Sequence, residues 1–404
     1  MQKYKPGLTG LSDVVLSDEK FSDRAVRCEH PIIKQRIKKL KQIDYELFSH
    51  DSNYLDKTIP IFTLILTMHG ENIGYVEKSL RSVFAQTYRN TEVILINNGA
   101  EGAIAQLIWE TFLSQKNAKL IRVSRNLFNP LANNIDDPIV NLWNAGLFCS
   151  DGDFVFFLAY DDLLSIDYVE RMVALFVSNA KCNTAAPMVV SIDDSGAVNI
   201  PISEALKAGN VREKYTDGIW LVKNFLRDGG MITFPGGLLA ARSDLVLKLG
   251  GFDKMSDLSQ LFKIGIHGES GFDPEAKLYW RHHSHQTNKV QAQMGMIYFT
   301  NYQDFMEDYG IKSLHQSIAG NDFADEFEWY MAKRSEREAI QAFCYSYRFG
   351  LRPGLMALRR IFRECPARVR IMAIFYCFIG FPAYLYSNWA PESLKLTYRR
   401  LRKI

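Results

Sequence analysis

The sequence has no CxxC pair. Its six cysteines (Cys28, Cys149, Cys182, Cys344, Cys365 and Cys377) are scattered, which argues against a zinc ribbon or a thioredoxin-like dithiol. Several sit in apolar runs and read as small core residues, and a reducing compartment suits them best. The N-terminal stretch MQKYKPGLTGLSD has no apolar core segment, so no secretory signal is expected there. Neither internal repeats nor low-complexity segments occur. No GxGxxG follows the first strand-like run, which disfavours a dinucleotide-dependent dehydrogenase. The stretch TMHGENIG after that run contains no Lys or Arg, unlike the basic phosphate loop of a nucleotidyltransferase. Excess charge is also scarce, with 48 Lys and Arg against 45 Asp and Glu, a net of +3. The balance is uneven, however. From Arg348 onward there are 12 basic residues and two acids, Glu364 and Glu392, which leaves 36 basic and 43 acidic residues elsewhere. A basic, apolar tail on an acidic body points to an anionic membrane surface rather than to nucleic acid.

The 404 residues, 47% of them apolar, suffice for one large α/β domain with attachments. Residues 1–58 are polar and weakly periodic, apart from a basic helical stretch near Ile32–Leu47, and read as an N-terminal extension. Residues 59–335 read as the main domain, and 336–404 as a helical, basic and apolar membrane-associating region. Within the main domain, strand-length apolar runs alternate with helical patterns. Ile61–Met68, Glu92–Asn97, Lys119–Val123 and Asp153–Asp162 read as strands. Tyr75–Gln86, Ala103–Leu113 and Ile139–Phe148 read as helices, the first with Val76, Leu80, Val83 and Phe84 on one face. Gly236–Asp253 reads as a strand and a short helix capped by Ser243. Ala276–Asn288 reads as a strand entering a histidine-rich loop. Repeated β-α units predict a mostly parallel sheet with helices on both faces, and ligands then bind at the carboxyl ends of the strands. Chemistry is expected just after Met68, Ile96 and Leu158.

The fourth strand ends in AYDD. Two adjacent carboxylates cannot both enter a core, because burying them unpaired costs several kcal/mol. At the carboxyl edge of a sheet they can hold a hard divalent cation. The alternative is a helix start, with Asp162 or Ser165 capping DYVERMVALFV.

Five segments, in order, resemble family 2 glycosyltransferases with a GT-A fold. LRSVFAQTY (Leu80–Tyr88) is similar to the family's LxSVLxQTY helix, and EVILINNGAEG to its EVIVVDDGSTD. NAGLFCSDGDFVFFLAYDD resembles the run that ends in the family's DxDD. GGLLAARSDLVLKLGGFD resembles its acceptor-side strand, helix and GGFD turn, and YWRHHSHQTN its closing YRxH segment. The resemblance spans about Ile59 to Asn288. It implies a GT-A (Rossmann-like) α/β fold and inverting transfer of a sugar from a nucleotide-sugar donor to a glycan or lipid-linked acceptor, assisted by Mg²⁺ or Mn²⁺. The implied donor site comprises Met68, His69, Glu71, Asn97, Asn98, Asn144, Tyr160, Asp161 and Asp162. Asp161 would be the metal-binding acid and His283 a second contact to metal or diphosphate. Asp257 would be the base that deprotonates the acceptor, ahead of Glu269 and Asp253.

The sequence departs from the family pattern at three places. Glu71 stands where the family has Asn, Asn97 and Asn98 replace paired acids, and Ala159 replaces the first acid of DxD. An amide still accepts from a base N–H and binds ribose hydroxyls, but it carries no charge. A catalytically degenerate, nucleotide-sugar-binding protein is therefore the chief alternative. His282, His283 and His285 lack cysteine or acidic partners at zinc-site spacing. Ile371–Pro391 carries no charge and is flanked by arginines. It is long enough to span a bilayer, but Gly380-Phe381-Pro382 interrupts it. An interfacial or re-entrant anchor is expected first, a span second, and a core helix pair third. Peripheral or monotopic attachment to the inner face of the cell membrane follows as the expected location.

Overall fold

Strand β3 (Phe62–Met68) is buried at every position, and so is its neighbour β4 (Thr91–Asn98). Such runs suit strands covered by helices on both faces. β3 pairs in parallel with β4 on one side and with β6 (Phe154–Ala159) on the other, and β4 pairs in parallel with β5 (Ala118–Val123). These four strands form the centre of the sheet. The computed structural model describes residues 14–16, 21–50, 54–69, 72–128, 137–209, 213–222, 239–252, 264–284, 286, 289, 292–295, 336, 339–340 and 342–377. The chain divides into two compact units, Met1–Phe225 with Gly230–Arg281, and Leu226–Gly229 with His282–Ile404.

The sheet of the first unit is mixed. Its order is β1-β2-β5-β4-β3-β6-β10-β8-β11-β7, with β9 also on β11. β10 (Ala240–Arg242) lies antiparallel between β6 and β8 (Cys182–Ile192). β8 therefore runs in the direction of β6, and β11 (Glu269–Arg281) is parallel to β8. The short strands β7 (Leu163–Leu164) and β9 (Tyr215–Asp217) run antiparallel to β11. The consequence for function is that β3, β4, β5, β6, β8 and β11 all end at one edge.

The stretch expected to be an N-terminal extension contributes strands to this sheet. β1 (Val14–Leu16) pairs with β2 (Tyr45–His50), which pairs antiparallel with β5. The predicted helix over Ile32–Leu47 is shorter than expected. It covers Pro31–Leu40 as α2 and gives way to β2, because Tyr45 and Leu47 alternate inward onto the sheet with the strand period. The short helix α1 (Asp23–Val26) also joins the body, since the Ser22 N–H donates to the Phe148 carbonyl at 2.7 Å.

Helix α3 (Ile73–Phe84) buries Val76, Leu80 and Val83, three of the four positions that the spacing predicts, with Phe84 only part-buried. It starts two residues early because Asn72 caps it, accepting from the Gly74 and Tyr75 N–H groups at 2.9 and 3.3 Å. Helix α4 (Gly102–Ser114) follows β4. Helix α5 (Pro138–Cys149) opens on an Asp137 cap with Pro138 at its first position. A Cβ at Gly146 would stand 2.9 Å from Ile65 Cγ2 and 3.2 Å from Ile96 Cδ1. Glycine thus lets α5 lie directly on β3 and β4. Helices α6 (Tyr168–Ser178), α7 (Ile200–Gly209) and α8 (Ser243–Lys248) follow in this unit.

At the amino edge of the sheet, Glu92 is buried in an ionic knot. Lys119 Nζ lies 2.7 Å from Glu92 Oε1 and 2.8 Å from Asp151 Oδ2. Thr63 Oγ1 donates to Glu92 Oε2 at 2.6 Å, and the Asp151 N–H does so at 2.9 Å. Burial pulls the Lys119 ammonium toward neutrality, but the two carboxylates outweigh it and hold it above the ordinary lysine range. Removing one partner of a buried pair strands the other charge. Lys119→Met is expected to lower stability by about 3 kcal/mol, with part recovered in Lys119→Met/Glu92→Gln. Urea unfolding of the three proteins checks this, and equal midpoints would show that the knot contributes nothing.

Candidate active site

The site is built at the edge where the parallel strands end. β6 stops at Ala159, before the two acids. The chain turns, with the Asp162 N–H donating to the Ala159 carbonyl at 3.2 Å, and enters β7 on β11. Asp161 is half-buried, whereas Asp162 is 4% exposed. Asp162 Oδ1 accepts from the Arg281 N–H at 2.9 Å and so extends the β11 ladder by one bond. Burial, followed by the neighbouring Asp161 charge, pushes the Asp162 carboxyl well above the usual carboxylate range, against the pull of Arg281. The capping alternative does not hold for Asp162 or Ser165. Helix α6 begins at Tyr168, with Asp167 in the cap position, and Ser165 Oγ accepts instead from the Lys277 N–H at 3.0 Å.

The last residue of β11, Arg281, has a fully buried side chain. Its Nε donates to the Asp161 carbonyl at 2.8 Å, and its Nη1 donates to the Asp193 and Asp194 carbonyls at 3.0 and 3.1 Å. Its guanidinium carbon lies 4.7 Å from the centre of the Tyr75 ring, within cation–π range. Tyr75 Oη donates to Asp194 Oδ1. Burial first, and that bond second, raise the Tyr75 phenol to about 12. The turn after β8 is itself tied by Asp193, whose Oδ1 accepts from the N–H groups of Ser195, Gly196 and Ala197 at 2.9, 3.1 and 3.0 Å. One guanidinium therefore joins the loop after β6, the loop after β8 and the first turn of α3.

On the other side of β3, Met68 and Asn97 are paired residues of the ladder. Met68 is fully buried, so its side chain belongs to the core. Asn97 Oδ1 accepts from the Ala100 N–H at 2.8 Å. Asn98 Oδ1 accepts from the Leu127 N–H, and its Nδ2 donates to Asn126 Oδ1, both at 2.9 Å. The residue between these turns, Gly99, has φ 72°, and a Cβ there would come within 2.1 Å of the Arg125–Asn126 peptide. The loops after β4 and β5 thus cross in backbone contact. Three rings gather beside them. His69 lies parallel to Phe128, at 2° with centroids 6.4 Å apart, and meets Tyr160 edge-on at 5.1 Å.

Met68, His69, Asn97, Asn98, Tyr160, Asp161 and Asp162 are therefore brought to one edge. Asn144 is not among them. It sits mid-way along α5, fully buried, with its amide bonded to the Val140 carbonyl at 2.8 Å and to both the N–H and the carbonyl of Phe252 at 2.8 and 2.9 Å. It fastens the Gly250-Gly251-Phe252 turn. Ser243 does not cap α8, since Arg242 occupies that position without a side-chain bond. Glu269, one alternative base, opens β11 at the opposite edge and accepts from Asn179 Nδ2 at 2.6 Å. Thirteen residues of strand put it on the order of 35 Å from Arg281. Glu71, Asp253, Asp257 and His285 lie outside the described residues. His282 and His283 belong to the second unit. There His283 is buried and its carbonyl accepts from Lys289 Nζ at 2.7 Å. Burial, then the charges of Lys289 and His283, lower the His282 imidazole pKa.

Asp161, half-buried at this edge, is the carboxylate whose hard oxygens would suit Mg²⁺ or Mn²⁺, whereas Asp162 is buried and accepts from the Arg281 N–H. Among the described residues, no group of three or more His, Cys, Asp or Glu is placed to hold a metal. Sequence reasoning missed Arg281, Tyr75 and Asp194. Arg281 did carry a signal, a cation directly after the apolar run Leu278–Trp280 that closes the strand, since such a charge is buried only when paired. Asp193-Asp194-Ser195-Gly196 carried only that of a turn.

Residues 63–231 match the family model for glycosyl transferase family 2. Over 120 residues, 30% of this chain, the sequence is 28% identical to an uncharacterized glycosyltransferase of Haemophilus influenzae, covering 34% of that protein. Over 200 residues, 49% of this chain, it is 24% identical to glycosyltransferase GlyA of Streptococcus pneumoniae serotype 4, covering 25% of it. The chain thus spans less than half the length of these relatives. Among solved structures, S. aureus TarS aligns over 80% of this chain and 54% of its own, with TM-score 0.46 and 13% identity. TarS 1-349 in complex with UDP-GlcNAc aligns over 79% and 92%, with TM-score 0.47 and 11% identity. Residues 63–231, which match glycosyl transferase family 2, lie within the mixed α/β sheet and include the loops after β3, β4, β6 and β8.

Proposed function

We propose that this glycosyltransferase moves a sugar from a nucleoside-diphosphate donor to a hydroxyl of a glycan or lipid-linked acceptor by single displacement with inversion. The observation that carries the proposal is the placement of Asp161. Arg281 holds its backbone at the edge where β3, β4 and β6 end, the place where open α/β sheets bind ligands. His69, Phe128 and Tyr160 offer ring surfaces for the base. The turn fixed by Asn97 and Asn98 offers backbone and amide groups to base and ribose. Asp161, with Asp162 beside it, would hold Mg²⁺ or Mn²⁺, and a bound divalent ion offsets charge on a departing diphosphate.

Asp257 is proposed as the base, in line with the family resemblance. Its carboxylate takes the acceptor's hydroxyl proton as that oxygen bonds to the anomeric carbon and the bond to the diphosphate oxygen breaks. One base suffices, and no covalent intermediate forms. The acceptor is placed at a membrane surface, which the basic C-terminal region adjoins. Among the described residues, no helix is long and apolar enough to cross a bilayer.

Two predictions follow from the site. A panel of nucleotide sugars with Mn²⁺ should contain one donor that raises the melting temperature, since a ligand at a hundred times its Kd stabilises by about 2.7 kcal/mol. Asp161→Asn should lose most of that shift, whereas Asp257→Asn should keep it and abolish transfer. Normal turnover by Asp257→Asn would remove that residue as the base, and the absence of any donor-induced shift would sink the proposal itself.

The second concerns pH. Because the folded Asp162 carboxyl holds its proton well above the ordinary range, ionising it disfavours the folded state. Its contribution to stability is present below the unfolded pKa of about 3.9 and is lost as pH rises toward the folded value. Asp162→Asn keeps the acceptor for the Arg281 N–H and has no proton to lose. In chelator, the melting temperature of the variant minus that of the parent should therefore grow between pH 4.5 and pH 7. A difference that stays flat would show that Asp162 is not destabilised by ionisation.

A further inference from the structure

In the second unit, helix α9 (Leu351–Glu364) presents three different stripes. Gly354, Ala357 and Ile361 are buried and face a cluster that includes Phe343, Tyr347, Cys365 and Val369. The fit is close, since a Cβ at Gly354 would stand 2.6 Å from the Tyr347 ring. At 100° per residue the next stripe is Leu351, Leu355, Leu358 and Phe362. Leu358 is part-buried against the cluster, but the other three point outward, with Leu351 44%, Leu355 50% and Phe362 43% exposed. On the far side of that stripe lie Arg352, Arg359 and Arg363, all exposed. Leu351, Arg352, Leu355, Met356 and Arg359 line a shallow open depression of about 430 Å³. The helical residues 367–377 repeat the pattern, with Ile371 67% and Phe375 65% exposed.

We infer that α9 docks on an anionic lipid surface, lying in the plane of the interface with Leu351, Leu355 and Phe362 among the acyl chains and Arg352, Arg359 and Arg363 at the headgroup phosphates. This deepens the membrane-surface part of the proposed function and rests on it for the class of partner, but it does not depend on sugar transfer. Charge complementarity selects the occupant. A second copy of the chain seated on this face would oppose one row of arginines with another. A lipid leaflet instead offers hydrocarbon to the leucine stripe and phosphate to the row beside it. Long arginine stems reach upward from an apolar face to headgroup level, which suits the 80–120° offset between the two stripes.

The test is flotation of the full chain with phosphatidylcholine vesicles and with vesicles that also contain phosphatidylglycerol. The parent should float with the anionic vesicles and much less with the neutral ones. Leu355→Glu/Phe362→Glu should reduce anionic-vesicle binding by at least about tenfold, because both side chains move from hydrocarbon to water. Arg352→Gln/Arg359→Gln should weaken binding by about fivefold for each charge removed. All four positions are exposed or lie on exposed stripes, and melting temperatures equal to the parent's confirm folding. Donor-induced stabilisation, measured on the same variants, reports on the sugar-transfer site separately and should be unchanged. Parent-like flotation of both variants would overturn the inference, as would equal binding to neutral vesicles. So would a concentration-dependent dimer that Leu355→Glu/Phe362→Glu disperses while flotation is unchanged.

Discussion

The geometry of the edge where the parallel strands end depends on one buried cation. An arginine cannot shed its proton in a protein, so the Arg281 guanidinium is a fixed charge in the interior and needs acceptors around it. It finds them in three backbone carbonyls, those of Asp161, Asp193 and Asp194, and in the face of the Tyr75 ring. These groups come from three separate segments, and satisfying one side chain therefore fixes all three relative to one another. The planar guanidinium donates along set directions, which makes the fixation directional as well as electrostatic. A lysine would present a point charge there and could not make the same set of bonds.

The two sides of the edge are organised by different chemistry. Around Asp161 the organising force is charge. A buried cation draws in carbonyls, and burial first, then the neighbouring Asp161 charge, make Asp162 keep its proton more tightly. Around Asn97 and Asn98 it is neutral amide bonding that ties successive loops into crossing contact. The polar half suits phosphates and a cation. The neutral half, with the parallel His69 and Phe128 rings beside it, suits a flat, uncharged group. The nucleoside-diphosphate donor proposed above has both parts in that order.

Much of this was legible in the sequence. The central strands and helices were readable because burial on two faces demands unbroken apolar runs and because the helices show one apolar face. Their ends moved by a residue or two where a cap, such as Asn72 or Asp137, set the start. The antiparallel strands were harder. β10 has three residues and β7 two, too short to show a period, and β2 was masked by the basic helical pattern before it. At the site, Asp161 and the two asparagines could be found because strand ends announce themselves. Asn144 could not be judged from its motif, since a buried amide facing a turn and one facing a ligand look alike in sequence. The role of Arg281 required knowing that residues more than a hundred positions apart share an edge.

The order of the sheet also bears on how the protein is made. β10 lies between β6 and β8, and β11 carries both β7 and β9, so the part of the sheet beyond β6 waits for segments from late in the chain. The tie that sets Asp161 is the final residue of β11, the last strand among the described residues. On the ribosome, Asp161 and Asp162 emerge well over a hundred residues before Arg281. The strands β3 to β6 are therefore complete in the chain before the residue that fixes the loop after β6 has been made. The edge proposed for the donor is therefore closed by a segment that is synthesised late.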